Sequence, residues 1–133
     1  MDPDVLPRPR PFPEVLQERL ICFATAVCAQ ARQVQRDLVT ASMVQQVVRS
    51  VTSVAANYAE ARAAQSRRDF VHKMQICLKE LRETQVWLEL VCRTTDLSMA
   101  NAARECGELT AIFVASINTA SRRGRRGSPI RPA

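Results

Sequence analysis

Residues 46–91 decide the fold, and they read QVVRSVTSVAANYAEARAAQSRRDFVHKMQICLKELRETQVWLELV. Because an α-helix turns by about 100° per residue, the valines around the start of this stretch fall on one side of a helix: Val44, Val47, Val48, Val51 and Val54. In the second half, core-type residues recur at alternating spacings of four and three: Phe70, Met74, Cys77, Leu81, Thr84, Leu88 and Val91. This heptad seam is typical of a helix in a bundle. Ser66, followed by Asp69, predicts an N-cap, so two long helices are joined by a tight turn.

Two further helices flank this pair. Helix one is predicted to begin near Glu14, and its seam consists of Leu16, Leu20, Phe23, Val27 and Val34, with Leu38 as a candidate to close it. Thr40 or Ser42 is the expected cap of helix two, which runs to about Ala63, and helix three runs from Arg67 to about Arg93. Ser98 is the expected cap of helix four, whose apolar face consists of Met99, Ala103, Cys106, Thr110, Phe113 and Ile117. Four helices with short turns predict an all-α, antiparallel up-down four-helix bundle.

Three segments resemble a known family. They are residues 53–61 (SVAANYAEA), 66–73 (SRRDFVHK) and 83–90 (ETQVWLEL), and together they are similar to the four helix bundle protein family. Some members of that family are encoded in intervening sequences of bacterial 23S ribosomal RNA genes. The resemblance implies an up-down bundle that assembles as a ring of five subunits and has no enzymatic activity. It also marks a polar stripe on helix two as a satisfied network between helices or subunits: Arg49, Ser53, Asn57 and Glu60.

The ends of the chain differ in composition from its middle. Residues 1–13 contain five of the seven prolines, which predicts a flexible, extended arm, with docking of that arm on a partner as the alternative. Residues 14–121 form the predicted bundle domain. Residues 122–133 are rich in arginine and contain no acidic residue, which predicts a disordered tail.

Composition restricts the remaining functional classes. No apolar run approaches the roughly 20 residues of a membrane span, and the N-terminus lacks a signal-peptide pattern, so we expect a cytoplasmic protein. The five cysteines form no C-x-x-C pair and are interpreted as reduced thiols that serve as small hydrophobic residues. With a single His and no recognisable catalytic motif, we expect no enzyme, metal or cofactor.

Positive charge is predicted to collect at one end of the bundle. The formal net charge is +6, and the up-down topology brings the start of helix one, the turn between helices two and three and the end of helix four together. We call this end the basic pole, and Arg19 is expected there too. Its predicted nucleic-acid contacts are Arg62, Arg67, Arg68, Lys73, Arg122, Arg123, Arg125 and Arg126. In a ring with parallel axes every such pole faces the same way, which suits a phosphate backbone.

A second apolar stripe on helix three favours self-assembly. Ile76, Val86, Trp87 and Leu90 lie roughly opposite the core seam, where exposed apolar residues normally mark an interface. The alternative is that a tilted bundle takes some of them into its own core. The sequence therefore predicts a homo-oligomer that binds nucleic acid, most readily structured RNA. Two alternatives remain: a protein-only scaffold with an incidental basic tail, or, by similarity in fold, the accessory subunit of a diversity-generating retroelement reverse transcriptase.

Overall fold

A computed structural model describes residues 9–34 and 37–126. The chain forms four α-helices: α1 (Phe12–Gln33), α2 (Leu38–Arg62), α3 (Arg67–Thr94) and α4 (Ala100–Arg126). Each helix packs against the next one in the chain, and α1 makes a smaller contact with α4. The prediction of an all-α, antiparallel up-down four-helix bundle is confirmed.

The centre of the bundle is the predicted seam of α3. Six of its seven residues are buried, Leu81 and Leu88 completely, and only Phe70 at the start of the helix is half-buried. Thr84 is also fully buried, and its hydroxyl oxygen lies 2.9 Å from that of Ser50 on α2. Buried hydroxyl groups cost free energy unless they find partners, so this pair accounts for the polar position in the seam.

The start of α2 differs from the prediction. The side chain of Asp37, rather than Thr40 or Ser42, caps the helix and accepts a hydrogen bond of 2.8 Å from the backbone N–H of Thr40. This cap places Leu38 in the first turn of α2, where it is 89% exposed. Leu38 therefore does not close the seam of α1, whose other predicted residues up to Val27 are buried.

The buried face of α4 is also shifted at two positions. Leu109 and Ala102 are buried, whereas the predicted Thr110 and Ala103 are only half-buried. Burying leucine removes more apolar surface from water than burying threonine, and threonine would bring a hydroxyl group with it. The cap of α3 agrees with the prediction, because Ser66 accepts a hydrogen bond of 3.0 Å from the N–H of Asp69.

Both ends of the bundle extend beyond the predicted limits. α1 begins at Phe12, two residues before Glu14, and Pro13 lies in its first turn, where proline leaves no helical hydrogen bond unmade. α4 continues to Arg126, so residues 122–126 are helical and not disordered. One glycine in this segment costs only about 1 kcal/mol, and arginine favours helix. Residues 1–8 and 127–133, which hold most of the predicted arm and the rest of the tail, lie outside the described residues.

Candidate nucleic-acid interface

Three parts of the chain meet at the basic pole, as the up-down topology predicts. The first turns of α1, the α2–α3 turn and the last turns of α4 surround an open depression of about 910 Å³. Arg62, Arg67 and Arg123 line it. A second depression of about 770 Å³ adjoins the first, and Arg67 lines both. Arg68 and His72 belong to the second depression.

The arginines of this pole are exposed and lack carboxylate partners. Within residues 9–34 and 37–126, none of the following forms an ion pair: Arg62, Arg67, Arg68, Arg122, Arg123 and Arg125. Arg62 donates to the side-chain oxygen of Gln17, and Arg122 to the backbone oxygen of Asn118 at 3.4 Å. Both contacts are with neutral oxygens, so the positive charge is not neutralised. Arg126 ends α4, and its side chain is not described.

Near its end, at Gly124, α4 lies close to the start of α3. A Cβ atom added at Gly124 would lie 3.3 Å from Cδ of Arg67. Glycine therefore leaves room for the Arg67 side chain between the two depressions. This contact also joins the α2–α3 turn to the end of α4, so arginines from both segments belong to one surface.

Lys73 and Arg19 differ from these arginines. The ammonium group of Lys73 pairs with Glu60 at 3.0 Å, and this hydrogen bond raises the pKa of the lysine. Arg19 pairs with Glu105 and Glu108 of α4, each at 2.6 Å. Arg19 was predicted to add to the basic pole, but the structure joins it to these two glutamates across α1 and α4. Its charge is therefore neutralised.

Aromatic and apolar side chains line the first depression beneath the arginines. Tyr58, Leu16 and Met74 are buried there, and Tyr58 makes an edge-on ring contact with Phe113 at 5.7 Å. Burial raises the pKa of Tyr58, although the charge of Arg62 acts in the opposite direction. Phe70 is half-buried, and Phe12 is 58% exposed at the edge.

The sequence did not point to Phe12, Tyr58 or Phe70 as members of a site. Phe70 belongs to the predicted core seam, and Tyr58 belongs to a segment that carries the family resemblance. Their positions in the first or last turns of α1, α2 and α3 were the available signal, because these three turns meet at the same pole.

The predicted interface residues of α3 are covered to different extents. Val86 is 56% exposed and Leu90 is 38% exposed. Ile76 is half-buried, whereas Trp87 packs against the core and its indole N–H donates to Glu83 at 3.3 Å. The bundle thus takes Trp87 partly into its own core and leaves Val86 and Leu90 open to solvent.

Two members of the polar stripe of α2 reach α3, and no side chain of the four bonds to the side chain of another. Arg49 pairs with Glu83 and, at 3.5 Å, with Glu80, and Glu60 pairs with Lys73. These are ion pairs between helices. Ser53 and Asn57 instead donate to backbone oxygens one turn earlier, at 2.7 and 2.9 Å. The arrangement fastens α2 to α3.

Four of the five cysteines divide into two groups, and Cys28 is half-buried. Cys77 and Cys106 are buried in the core, which raises the pKa of their thiols to about 12 and about 11. They are the small hydrophobic residues that the sequence predicted. Cys22 and Cys92 are exposed, so this interpretation is wrong for them. A hydrogen bond to Glu18 raises the pKa of Cys22.

The part of the chain that the structure describes lacks the features of two other classes of site. No group of three or more His, Cys, Asp or Glu side chains there could hold a metal ion. None of its helices combines the length and apolar content that crossing a membrane requires. The basic pole is therefore the candidate site that the described residues offer.

A known protein family and a solved structure are similar to this chain. The model of a family described as 23S rRNA-intervening sequence protein matches residues 16–116. Among solved structures, the chain is similar to a protein with unknown function from the S23 ribosomal protein family of Bacteroides thetaiotaomicron VPI-5482. The two share 32% sequence identity with a TM-score of 0.72, over 80% of this chain and 97% of that one. No curated protein matches the chain. Neither matching description names an enzymatic activity.

Proposed function

Because the chain belongs to the 23S rRNA-intervening sequence protein family, we propose that it is a non-enzymatic, cytoplasmic protein that binds structured RNA through its basic pole. One observation carries this proposal: six exposed arginines, none of which pairs with a carboxylate of residues 9–34 or 37–126, gather where α1, the α2–α3 turn and α4 meet. The family name supports RNA as the nucleic acid.

The chemistry of arginine fits a phosphate ligand. Its planar guanidinium group donates two parallel hydrogen bonds to a phosphate and stays charged at every physiological pH. Arg62, Arg67 and Arg68 lie at the ends of helices and would position the backbone, while the arginines of α4 extend the charged surface. Contacts of this kind fix register on the nucleic acid but distinguish bases poorly.

Self-assembly would multiply this effect. We propose a homo-oligomer, a ring of five subunits with parallel bundle axes, in which each basic pole faces the same side. Ile76, Val86, Trp87 and Leu90 would contribute to the contact between subunits. The exposure of Val86 and Leu90 supports this, because contact of apolar side chains with water is unfavourable and a neighbouring subunit would remove it.

A titration at two salt concentrations tests RNA binding. The protein is mixed with a structured RNA, a single-stranded DNA and a duplex DNA, and binding is followed by mobility shift. We expect the RNA to bind most tightly and its affinity to fall steeply with salt, because each neutralised phosphate releases counterions. Native mass measurement with and without nuclease treatment counts the subunits.

A truncated chain provides the matched variant. Ending the protein after Ser121 removes every arginine from 122 onward, so affinity and salt slope should both decrease while the oligomer stays intact. If the full-length protein binds none of the three nucleic acids at low salt, RNA binding is wrong and a protein-only scaffold takes its place.

A further inference from the structure

The first depression at the basic pole combines two surfaces that phosphate binding alone does not need. Its edge carries Arg62, Arg67 and Arg123, whereas its interior is aromatic and apolar, with Tyr58 and Phe70 among its residues. A regular RNA duplex presents phosphates and sugars to a protein and keeps its bases stacked inside. The apolar interior would gain nothing from such a partner.

From this combination we propose that the depression takes up a single unpaired nucleotide of the bound RNA, with its base against the aromatic residues and its phosphate at the arginines. This inference rests on the proposed function and names the RNA feature that the pole recognises. An unstacked base has an apolar face that aromatic side chains accept, and the phosphate attached to it supplies the matching negative charge.

The dimensions of the depression agree with this ligand. Its volume of about 910 Å³ lies within the usual range of small-molecule sites, about 300–1,000 Å³. Leu16, Tyr58 and Met74 are buried, so the interior is fixed by the core of the bundle and needs no rearrangement. Phe12 at the edge keeps 58% of its surface exposed, which leaves its ring available for stacking.

Charge complementarity favours a nucleotide over an apolar peptide segment. Three arginines border the depression, and none of them pairs with a carboxylate in the described part of the chain, so an occupant that brings no negative charge would leave them unpaired. Tyr58 is only 3% exposed, so the rings that a base can reach are those of the half-buried Phe70 and of Phe12. The residues present thus fit a ligand with one flat apolar part and one anionic part.

The test compares two RNA hairpins that differ at one position. In the first, a single 2-aminopurine is unpaired as a bulge, and in the second the same 2-aminopurine is paired. We expect the full-length protein to bind the bulged hairpin more tightly and to change its fluorescence, because the base leaves the RNA stack and enters the depression. The paired hairpin should bind more weakly, with its fluorescence unchanged.

Substitutions at the edge separate base uptake from phosphate binding. Phe12→Ala should weaken binding of the bulged hairpin by about tenfold and leave the paired hairpin unaffected, since one stacking contact is lost. Val15→Ala is the matched control, because Val15 is an exposed apolar residue of the same helix, 42% exposed, that does not line the depression. Thr119→Leu, an exposed position in the lining, should act like Phe12→Ala by filling the space.

The outcomes distinguish this inference from the function on which it rests. If both hairpins bind equally, the fluorescence stays constant and Phe12→Ala has no selective effect, nucleotide uptake is wrong while RNA binding stands. Arg67→Ala should then still weaken both hairpins. If neither hairpin binds at low salt, the proposed function fails and the inference fails with it.

Discussion

The middle of the bundle and its basic pole are built in opposite ways. In the middle, Leu81 and Leu88 are completely buried, and the buried hydroxyl groups of Ser50 and Thr84 lie within hydrogen-bond distance of each other. At the pole, arginines are exposed and lack carboxylate partners within the described residues. The polar groups in the middle are thus paired within the bundle, whereas the described arginines of the pole remain able to pair with a negatively charged molecule. Stability and binding should therefore respond to different substitutions.

The largest effect is expected from Leu81→Ala. Removing a completely buried leucine side chain from the seam of α3 leaves a cavity, so the free energy of unfolding should fall by about 2–5 kcal/mol. Leu88→Ala should behave in the same way. Thermal and urea unfolding measure the change. The control is Arg82→Ala, at the exposed position next to Leu81, which should stay within about 0.5 kcal/mol of the wild type. Equal stability of all the variants would contradict the seam.

Reversing charge at the pole should give the opposite result. Arg67→Glu combined with Arg68→Glu should lower RNA affinity strongly and reduce the salt slope by about two per subunit in contact, because two phosphate contacts are lost. Unfolding should change little, since both side chains are exposed. The control is Lys79→Glu with Arg82→Glu, which makes the same charge change on exposed positions of α3 further from the pole. If the control weakens binding equally, net charge and not the pole governs affinity.

The sequence predicted the middle better than the pole for a physical reason. A core repeats with the period of the helix, so the spacing of Met74, Cys77, Leu81 and Leu88 identifies it directly. Leu38 fits this spacing but is exposed. Its spacing continues the seam of α1. The carboxylate of Asp37, however, accepts a hydrogen bond from the backbone N–H of Thr40, and this cap makes Leu38 the first residue of α2. A single cap outweighs periodicity at the end of a helix.

The basic pole is formed by side chains that are far apart in the sequence. The sequence predicts that they meet only because it predicts the order and direction of the four helices. Topology brought the arginine-bearing segments together as predicted. It did not reveal that Arg19 would pair with Glu105 and Glu108, or Lys73 with Glu60, because those pairs depend on the rotation of each helix about its axis. For the same reason the aromatic interior of the depression was not predicted.

The apolar stripe of α3 provides a third comparison, between exposed residues that should be covered in an oligomer and those that should not. Val86→Lys with Leu90→Lys should break the oligomer while leaving helicity unchanged, because both side chains are exposed in the single chain and two charges would be buried between subunits. Sedimentation measures the mass and circular dichroism the helicity. An unchanged oligomer would exclude these two residues from the interface. The control is Phe12→Lys, an exposed apolar residue of α1 outside the stripe.

The thiols distinguish the inside of the bundle from its outside chemically. At pH 8, Cys92 should react rapidly with a thiol reagent because it is exposed. Cys77 and Cys106 should react only after unfolding, because burial blocks access and raises their pKa values to about 12 and about 11. Glu18→Gln should accelerate Cys22, since the hydrogen bond to the Glu18 carboxylate raises its pKa. Rapid labelling of Cys77 in the native protein, detected by mass spectrometry, would contradict the buried core.

The smallest effect is expected where the middle and the pole share one helix. Gly107→Ala on α4 should raise the free energy of unfolding by up to about 1 kcal/mol, because alanine favours helix over glycine. A Cβ atom at Gly107 meets nothing within 4 Å beyond its own stretch of helix, so RNA affinity should not change. Gly124→Ala should also favour helix, but its Cβ would lie 3.3 Å from Cδ of Arg67 and displace that side chain. RNA affinity should then fall, by less than about threefold, because a flexible arginine can readjust. Parallel melts and RNA titrations of the two variants decide the matter. A loss of affinity in Gly107→Ala, or none in Gly124→Ala, would contradict the position of Arg67 between the two depressions.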